Sequence, residues 1–265
     1  MEENTLKGLR KALRHHLAPR RHTALLIAIV VLFMVRPLIG DGGIATAAFS
    51  VALLMLLLFA LYAIQVDELV GERETLLAQR KRRGLIGWAL AVPAIMARLT
   101  VIFVSIPALY LSEAILWLVL FAFITWHLLR GVLRQREITS ETISMSISVY
   151  LLLGFTFGLF YILLHHLQPL AFSFGSTPAP ISKEQQTFPI LAYFSLTTLS
   201  TIGFGDITPV SLQARYAAVA EGITGQFYLA ILVARLVGMQ MSQAASPSGK
   251  PQTYDPGTTE PAKED

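Results

Sequence analysis

The sequence predicts an all-α membrane protein with six transmembrane helices and one short apolar segment, between the fifth and sixth, that does not cross. Three observations carry that prediction. The 265-residue chain is 54% hydrophobic and only 14% charged, against about 25% charged residues in soluble domains, and its mean hydropathy is +0.59. Its apolar residues come in long runs, and a bilayer core asks for roughly 20 per helix. Its basic residues stand in clumps between those runs. A soluble enzyme of this size would lack the polar residues to cover its surface.

The first span runs from Thr23 to Leu38 and stops at the turn signal Gly40-Asp41-Gly42-Gly43. The second, Ile44 to Ile64, contains no charge, and the charged stretch Asp67 to Arg83 follows it. Gly84 to Leu129 is apolar except for Arg98 and Glu113. It is about two crossings long, which predicts third and fourth spans turning near Pro107. Beyond the charged segment Arg130 to Glu137, the fifth span covers about Ser148 to Leu167. A stretch with Pro169, Gly175, Pro178 and Pro180 reads as a loop. Phe188 to Leu199 is apolar but too short to cross, and Tyr216 to Gly238 is the sixth span. The tail Ser242 to Asp265 is rich in Ser, Pro, Gly, Thr and Glu and predicts disorder.

The basic clumps are Lys7 to Arg21, Arg80 to Arg83 and Arg130 to Arg136. They fall on one side of the membrane if every helix crosses. The positive-inside rule then puts both termini in the cytoplasm and the loop Gln168 to Arg215 outside. The net charge of +4 reflects this topology, and nucleic acid is not an expected partner. A plasma membrane, the inner membrane of a bacterial-type cell, is the expected location. Ala45-Thr46-Ala47 after a basic, apolar start is similar to a signal-peptide cleavage site. It opens directly into another apolar span, so cleavage is not expected. Cysteine is absent, which excludes disulfides and thiolate chemistry. The unit Tyr150 to Gly238 occurs once, with no internal repeat.

Between the last two spans lies Thr197-Thr198-Leu199-Ser200-Thr201-Ile202-Gly203-Phe204-Gly205-Asp206. Backbone that re-enters a membrane must be buried in protein or face a water-filled path. Alternate glycines admit conformations closed to other residues, so the strip can point successive carbonyls to one side. Repeated around an axis, such carbonyls replace the hydration shell of a cation.

The pattern Thr198-x-x-Thr201-x-Gly203-x-Gly205-Asp206, with a span on either side, resembles the signature filter of potassium channels in its Ile-Gly-Phe-Gly form. The resemblance covers Ser148 to Gly238 and points to the P-loop tetrameric cation channels, in a six-span bacterial-type member. It implies a re-entrant pore helix and a selectivity filter between the fifth and sixth helices. It implies that the carbonyls of Thr201, Ile202, Gly203 and Phe204 coordinate dehydrated potassium, with Gly205 completing the strip and the Thr201 hydroxyl supplying the innermost site. Asp206 would anchor the outer mouth, with Thr197 and Thr198 as further support. Tyr193 and Phe194 fall where the family has an aromatic pair bracing the filter, and Gly225 where it often has a gating hinge. Pro189 suits the first turn of the pore helix, whose negative end would favour a cation. An interfacial aromatic belt remains open for Tyr193 and Phe194, and close helix packing for Gly225. The commoner filter has tyrosine at the position of Phe204. Its missing hydroxyl removes a hydrogen bond worth about 0.5–1.5 kcal/mol net, which predicts a filter that collapses or inactivates more easily.

Six spans resemble the voltage-gated architecture, yet the fourth span, Leu111 to Leu129, has no arginine or lysine. Voltage sensing needs several, each carrying about 2.3 kcal/mol per 100 mV, so strong voltage gating is not expected. Arg98 reads as a structural pair or a snorkelling side chain, and Arg235 as one that snorkels to the cytoplasmic surface. His165 and His166 read as structural rather than as a proton or metal switch. Glu221 is expected to pair with Arg215 or with a filter-side group. Lys7, Arg10, Lys11 and Arg14 read as topogenic charge, with anionic lipid as the candidate partner of the arm.

The expected division is a basic cytoplasmic arm at 1–22, a four-helix membrane region at 23–136, a pore domain at 137–240 and a disordered cytoplasmic tail at 241–265. One filter copy cannot surround an ion, so a homotetramer is expected. The expected function is passive potassium-selective conduction, with no reaction catalysed and no cofactor beyond the permeating ion. Alternatives are the pore subunit of a potassium uptake system or a non-selective cation channel. A membrane enzyme finds no support, since neither His-Glu-x-x-His nor Gly-x-Ser-x-Gly occurs.

Overall fold

The structure, a computed structural model, describes residues 21–39, 43–70, 77–103, 107–135, 138–175 and 187–245. Outside the described residues lie the arm with Lys7, Arg10, Lys11 and Arg14, the Gly40-Asp41-Gly42 turn, Pro178, Pro180, Arg136, Glu137 and the tail beyond Ala245.

The regular secondary structure of the described residues is helical, save for one two-residue ladder. The helices are α1 (Arg21–Ile39), α2 (Gly43–Val70), α3 (Leu77–Phe103), α4 (Pro107–Arg134), α5 (Ser140–Leu167), α6 (Thr187–Leu199) and α7 (Leu212–Ala245). Strands β1 (Phe172–Ser173) and β2 (Thr208–Pro209) pair antiparallel, Phe172 against Pro209 and Ser173 against Thr208. Among the described residues, four segments are long and apolar enough to cross a membrane: Gly84–Val101, Leu109–Arg134, Ser140–Leu167 and Leu212–Met241. The apolar parts of α1 and α2 that are described, Arg21–Val35 and Ala48–Ile64, are shorter.

Helix limits follow from local chemistry. α4 opens at Pro107, where a missing N–H costs nothing because the first turn has no partner for it. α3 continues through Pro93, a substitution membrane helices tolerate. α5 begins at Ser140, well before the Ser148 at which the apolar run starts. The cause is a reciprocal cap: the Thr142 amide donates to the Thr139 hydroxyl at 3.2 Å, and the Thr139 amide to Thr142 Oγ1 at 3.4 Å. Ser146 and Ser148 are buried here because their hydroxyls donate to the carbonyls of Thr142 and Ser144, each at 2.8 Å.

α5 is the central helix and packs against α1, α4, α6 and α7. Leu25, Ile29 and Leu32 of α1, Phe121, Ile124 and Leu128 of α4, and Met145, Val149 and Leu152 of α5 form a closed apolar interior. In lipid such contacts act through close packing rather than water exclusion, which favours small residues at the crossings. Gly158 is one: a Cβ there would stand 3.0 Å from the Ala192 Cα of α6.

Polar ties join the helices. Arg98 pairs with Glu113 at 3.1 Å and donates to Ser50 Oγ at 3.0 Å, linking α3, α4 and α2; it is a structural pair. The Glu141 carboxylate accepts from the His22 amide at 2.9 Å and the Thr23 hydroxyl at 2.7 Å, capping the start of α1 from the foot of α5. Arg235 departs from a simple snorkelling role. Its guanidinium donates to the carbonyls of Val132 at 2.7 Å and Gln135 at 2.5 Å. The last carbonyls of a helix lack partners within it, and at the end of α4 the fork of an arginine supplies two donors.

Candidate functional site

α6 ends where the strip begins, and its closing turn is finished by the strip itself. The amides of Ile202 and Gly203 donate to the Thr197 carbonyl at 2.9 and 3.2 Å, and the Thr201 amide to the Thr198 carbonyl at 3.0 Å. The Tyr150 hydroxyl of α5 donates to the Leu199 carbonyl at 3.2 Å. Carbonyls that a helix end leaves unpaired are thus satisfied by its continuation and by a neighbour.

Along the strip the backbone alternates. Thr201, Gly203 and Gly205 have φ of 60°, 55° and 79°, while Ile202 and Phe204 between them stay at negative φ. A Cβ at Gly203 or Gly205 would meet nothing within 4 Å, so these glycines answer a conformational demand and not a steric one. Thr201 meets the same demand with a β-branched side chain, an unfavourable choice costing on the order of 1–3 kcal/mol. Thr201 through Asp206 are exposed in the single chain, Ile202 at 58% and Phe204 at 69%.

At the outer end the Tyr193 hydroxyl donates to Asp206 Oδ2 at 2.9 Å. The Tyr193 and Phe204 rings lie parallel, 6.3 Å apart and tilted by 2°. Phe194 faces the other way, packing edge-on against Tyr161 at 5.2 Å and Phe172 at 5.4 Å. The β1–β2 ladder and the amide of Val210, which donates to the Ala171 carbonyl at 2.8 Å, tie the segment beyond Asp206 to the end of α5. Gly175 comes so close that a Cβ would stand 2.9 Å from the Asp206 carbonyl oxygen.

Gly225 faces the end of α6; a Cβ there would stand 2.9 Å from Leu199 Cδ1 and collide with its carbonyl oxygen. This is the geometry of close packing. Glu221, fully buried, pairs with groups on α5 and α6 and not with Arg215. It accepts from the Tyr161 hydroxyl at 2.6 Å, and its Oε1 meets the Ser195 hydroxyl, which also reaches the Gly154 carbonyl at 2.5 Å. Arg215 instead donates to the Pro209 carbonyl at 3.3 Å. The His165 ring packs edge-on to Phe174 at 5.8 Å, and among the described residues no cluster of three or more His, Asp or Glu could hold a metal. Tyr150, Tyr161 and Ser195 are site residues the sequence reading passed over. The available signal was that a buried Tyr hydroxyl or an acid in an apolar helix requires a partner.

Residues 147–241 match the family model described as "Ion channel". A curated relative, Protein LctB of Bacillus caldotenax, is 36% identical over 64 residues, 23% of this chain and 47% of that protein. The chain thus spans about half the length of the curated relative it matches. No solved structure matches the chain. The matched segment takes in the strip, α6 and most of the two helices around them, so it is over residues 147–241 that this chain is similar to membrane ion channels.

Proposed function

We propose that four copies of this chain form a passive, potassium-selective pore with Thr201 to Gly205 as its filter and without strong voltage gating. The observation that carries the reading is the alternation of left-handed φ at Thr201, Gly203 and Gly205 with negative φ between them. A chain that alternates in this way can turn successive peptide carbonyls to one side, as a filter of carbonyl rings needs. In this reading the carbonyls of Thr201, Ile202, Gly203 and Phe204 bind the ion, and the Thr201 hydroxyl adds the innermost ligand. Thr197 and Thr198 hold the inner end through their own carbonyls, and Tyr193 and Asp206 hold the mouth.

Burial supports assembly. Of the crossing segments, that of α5 is 56% buried within one chain and that of α7 only 11%. An inner helix left so bare is what four chains meeting around an axis would require. Six crossings, with α1 and α2 as the first two and both termini at the cytoplasmic face of the plasma membrane, complete the proposal. Arg98, occupied by Glu113 and Ser50, supports the absence of a moving charge in the third helix.

Purified protein in liposomes tests this under potassium and then sodium gradients, with Gly203→Asp as control. Potassium flux that the substitution abolishes, and little sodium flux, is the expected result. Equal sodium flux would exclude a selective filter, and no flux would exclude a pore made by this chain alone.

A further inference from the structure

Glu221 sits on α7 with no exposed surface, and its surroundings can be checked by counting protons. A serine hydroxyl has one proton to give. The Ser195 oxygen is within hydrogen-bonding reach of two others, the Gly154 carbonyl at 2.5 Å and Glu221 Oε1. A backbone carbonyl never donates, so the Ser195 proton belongs to Gly154. The proton between Ser195 and Glu221 must then sit on the carboxyl. Tyr161 donates to the other carboxyl oxygen, Oε2, at 2.6 Å. With one proton on Oε1 every polar atom is satisfied: Tyr161 to Oε2, Oε1–H to Ser195, Ser195 to Gly154. Without it, Ser195 faces two acceptors with a single proton, and a carboxylate charge is buried among neutral partners, which is costly.

We infer that Glu221 is held as a neutral carboxylic acid and is the positioning residue that locks α6 between α5 and α7. The chain of bonds runs from Tyr161 on α5 through Glu221 on α7 and Ser195 on α6 back to Gly154 on α5. Ser195 lies in the turn that leads to Thr197 and Thr198, whose carbonyls receive the amides of the strip. The acid therefore sets the seat of the helix from which the strip hangs.

The test has two arms, and only the second rests on the pore reading. Infrared difference spectra of the full chain in liposomes, wild type against Glu221→Gln, should show a protonated carboxyl band that the substitution removes. In potassium flux Glu221→Gln, a neutral stand-in with both a donor and an acceptor, should stay within about twofold of wild type. Glu221→Ala and Ser195→Ala, which leave buried partners unpaired, should lose about tenfold. An infrared difference without that band overturns the inference. So does a glutamine variant that fails to assemble or that loses flux as alanine does. If the wild type carries no flux, the pore reading fails and the infrared band alone decides the state of Glu221.

Discussion

The two ends of the proposed filter are held by different kinds of bond. At the inner end the amides of Thr201, Ile202 and Gly203 bond to the carbonyls of Thr198 and Thr197 at 2.9–3.2 Å, backbone to backbone. At the outer end the Tyr193 hydroxyl bond to Asp206 at 2.9 Å and the parallel rings of Tyr193 and Phe204 do the holding. Main-chain bonds survive any side-chain change that leaves φ alone; side-chain bonds can be removed one by one. The inner end is thus vulnerable through conformation and packing, and the outer end through chemistry.

The largest effect is expected at Gly203. Alanine there meets no neighbour within its own chain, so its cost within the chain is the left-handed conformation, about 1–2 kcal/mol and repeated in each subunit. Potassium flux in liposomes should fall at least tenfold with the oligomer intact, and a D-alanine placed there by semisynthesis, at ease at positive φ, should restore it. Loss of flux with both enantiomers would show that space and not conformation governs the position. Gly225→Val comes next, because it drives a branched side chain into Leu199 at the end of α6. Overpacking of this kind costs about 1–3 kcal/mol, to be read as a lower melting temperature of the oligomer together with reduced flux. A variant as stable as wild type would remove Gly225 from the packing account.

Tyr193→Phe removes the bond to Asp206 and keeps the ring stack. The expected change is confined to the outer end: flux declines about threefold faster in low potassium, with initial selectivity kept. If selectivity fails at once, the two ends are not separately held. Smallest is Phe204→Tyr, which adds a hydroxyl to a ring already stacked on Tyr193. It should slow inactivation by about twofold, the lower end of what one hydrogen bond contributes, and unchanged inactivation would refute a role for the missing hydroxyl.

Much of this site could be read from the chain because its signals are local. The strip's glycines, the proline opening α4 and the apolar runs each act through neighbours in sequence. The ties that hold the strip are not local. Glu221 finds Tyr161 across 60 residues and Ser195 across 26, and no spacing rule joins them. Arg235 finds the Val132 carbonyl across 103 residues. The start of α5 was obscured for another reason. Its cap uses threonine where glutamate or glutamine would be the usual sign, and its buried serines look like linker until their hydroxyls are seen to turn back on the helix. The parting of Tyr193 and Phe194 is a matter of helix geometry, since adjacent residues cannot share one face.

The grip of Arg235 makes the far end of α7 behave as a latched lever. About 15 Å of helix separates Gly225 from Arg235, so a bend of only about 10° near the glycine would carry the arginine roughly 2.6 Å. That exceeds what a hydrogen bond tolerates, and both carbonyl bonds would be lost in one stroke. Hydrogen bonds with a charged partner contribute about 1.5–3 kcal/mol each. Movement of α7 should therefore be abrupt rather than graded, with the Val132 and Gln135 carbonyls at the end of α4 as the catch.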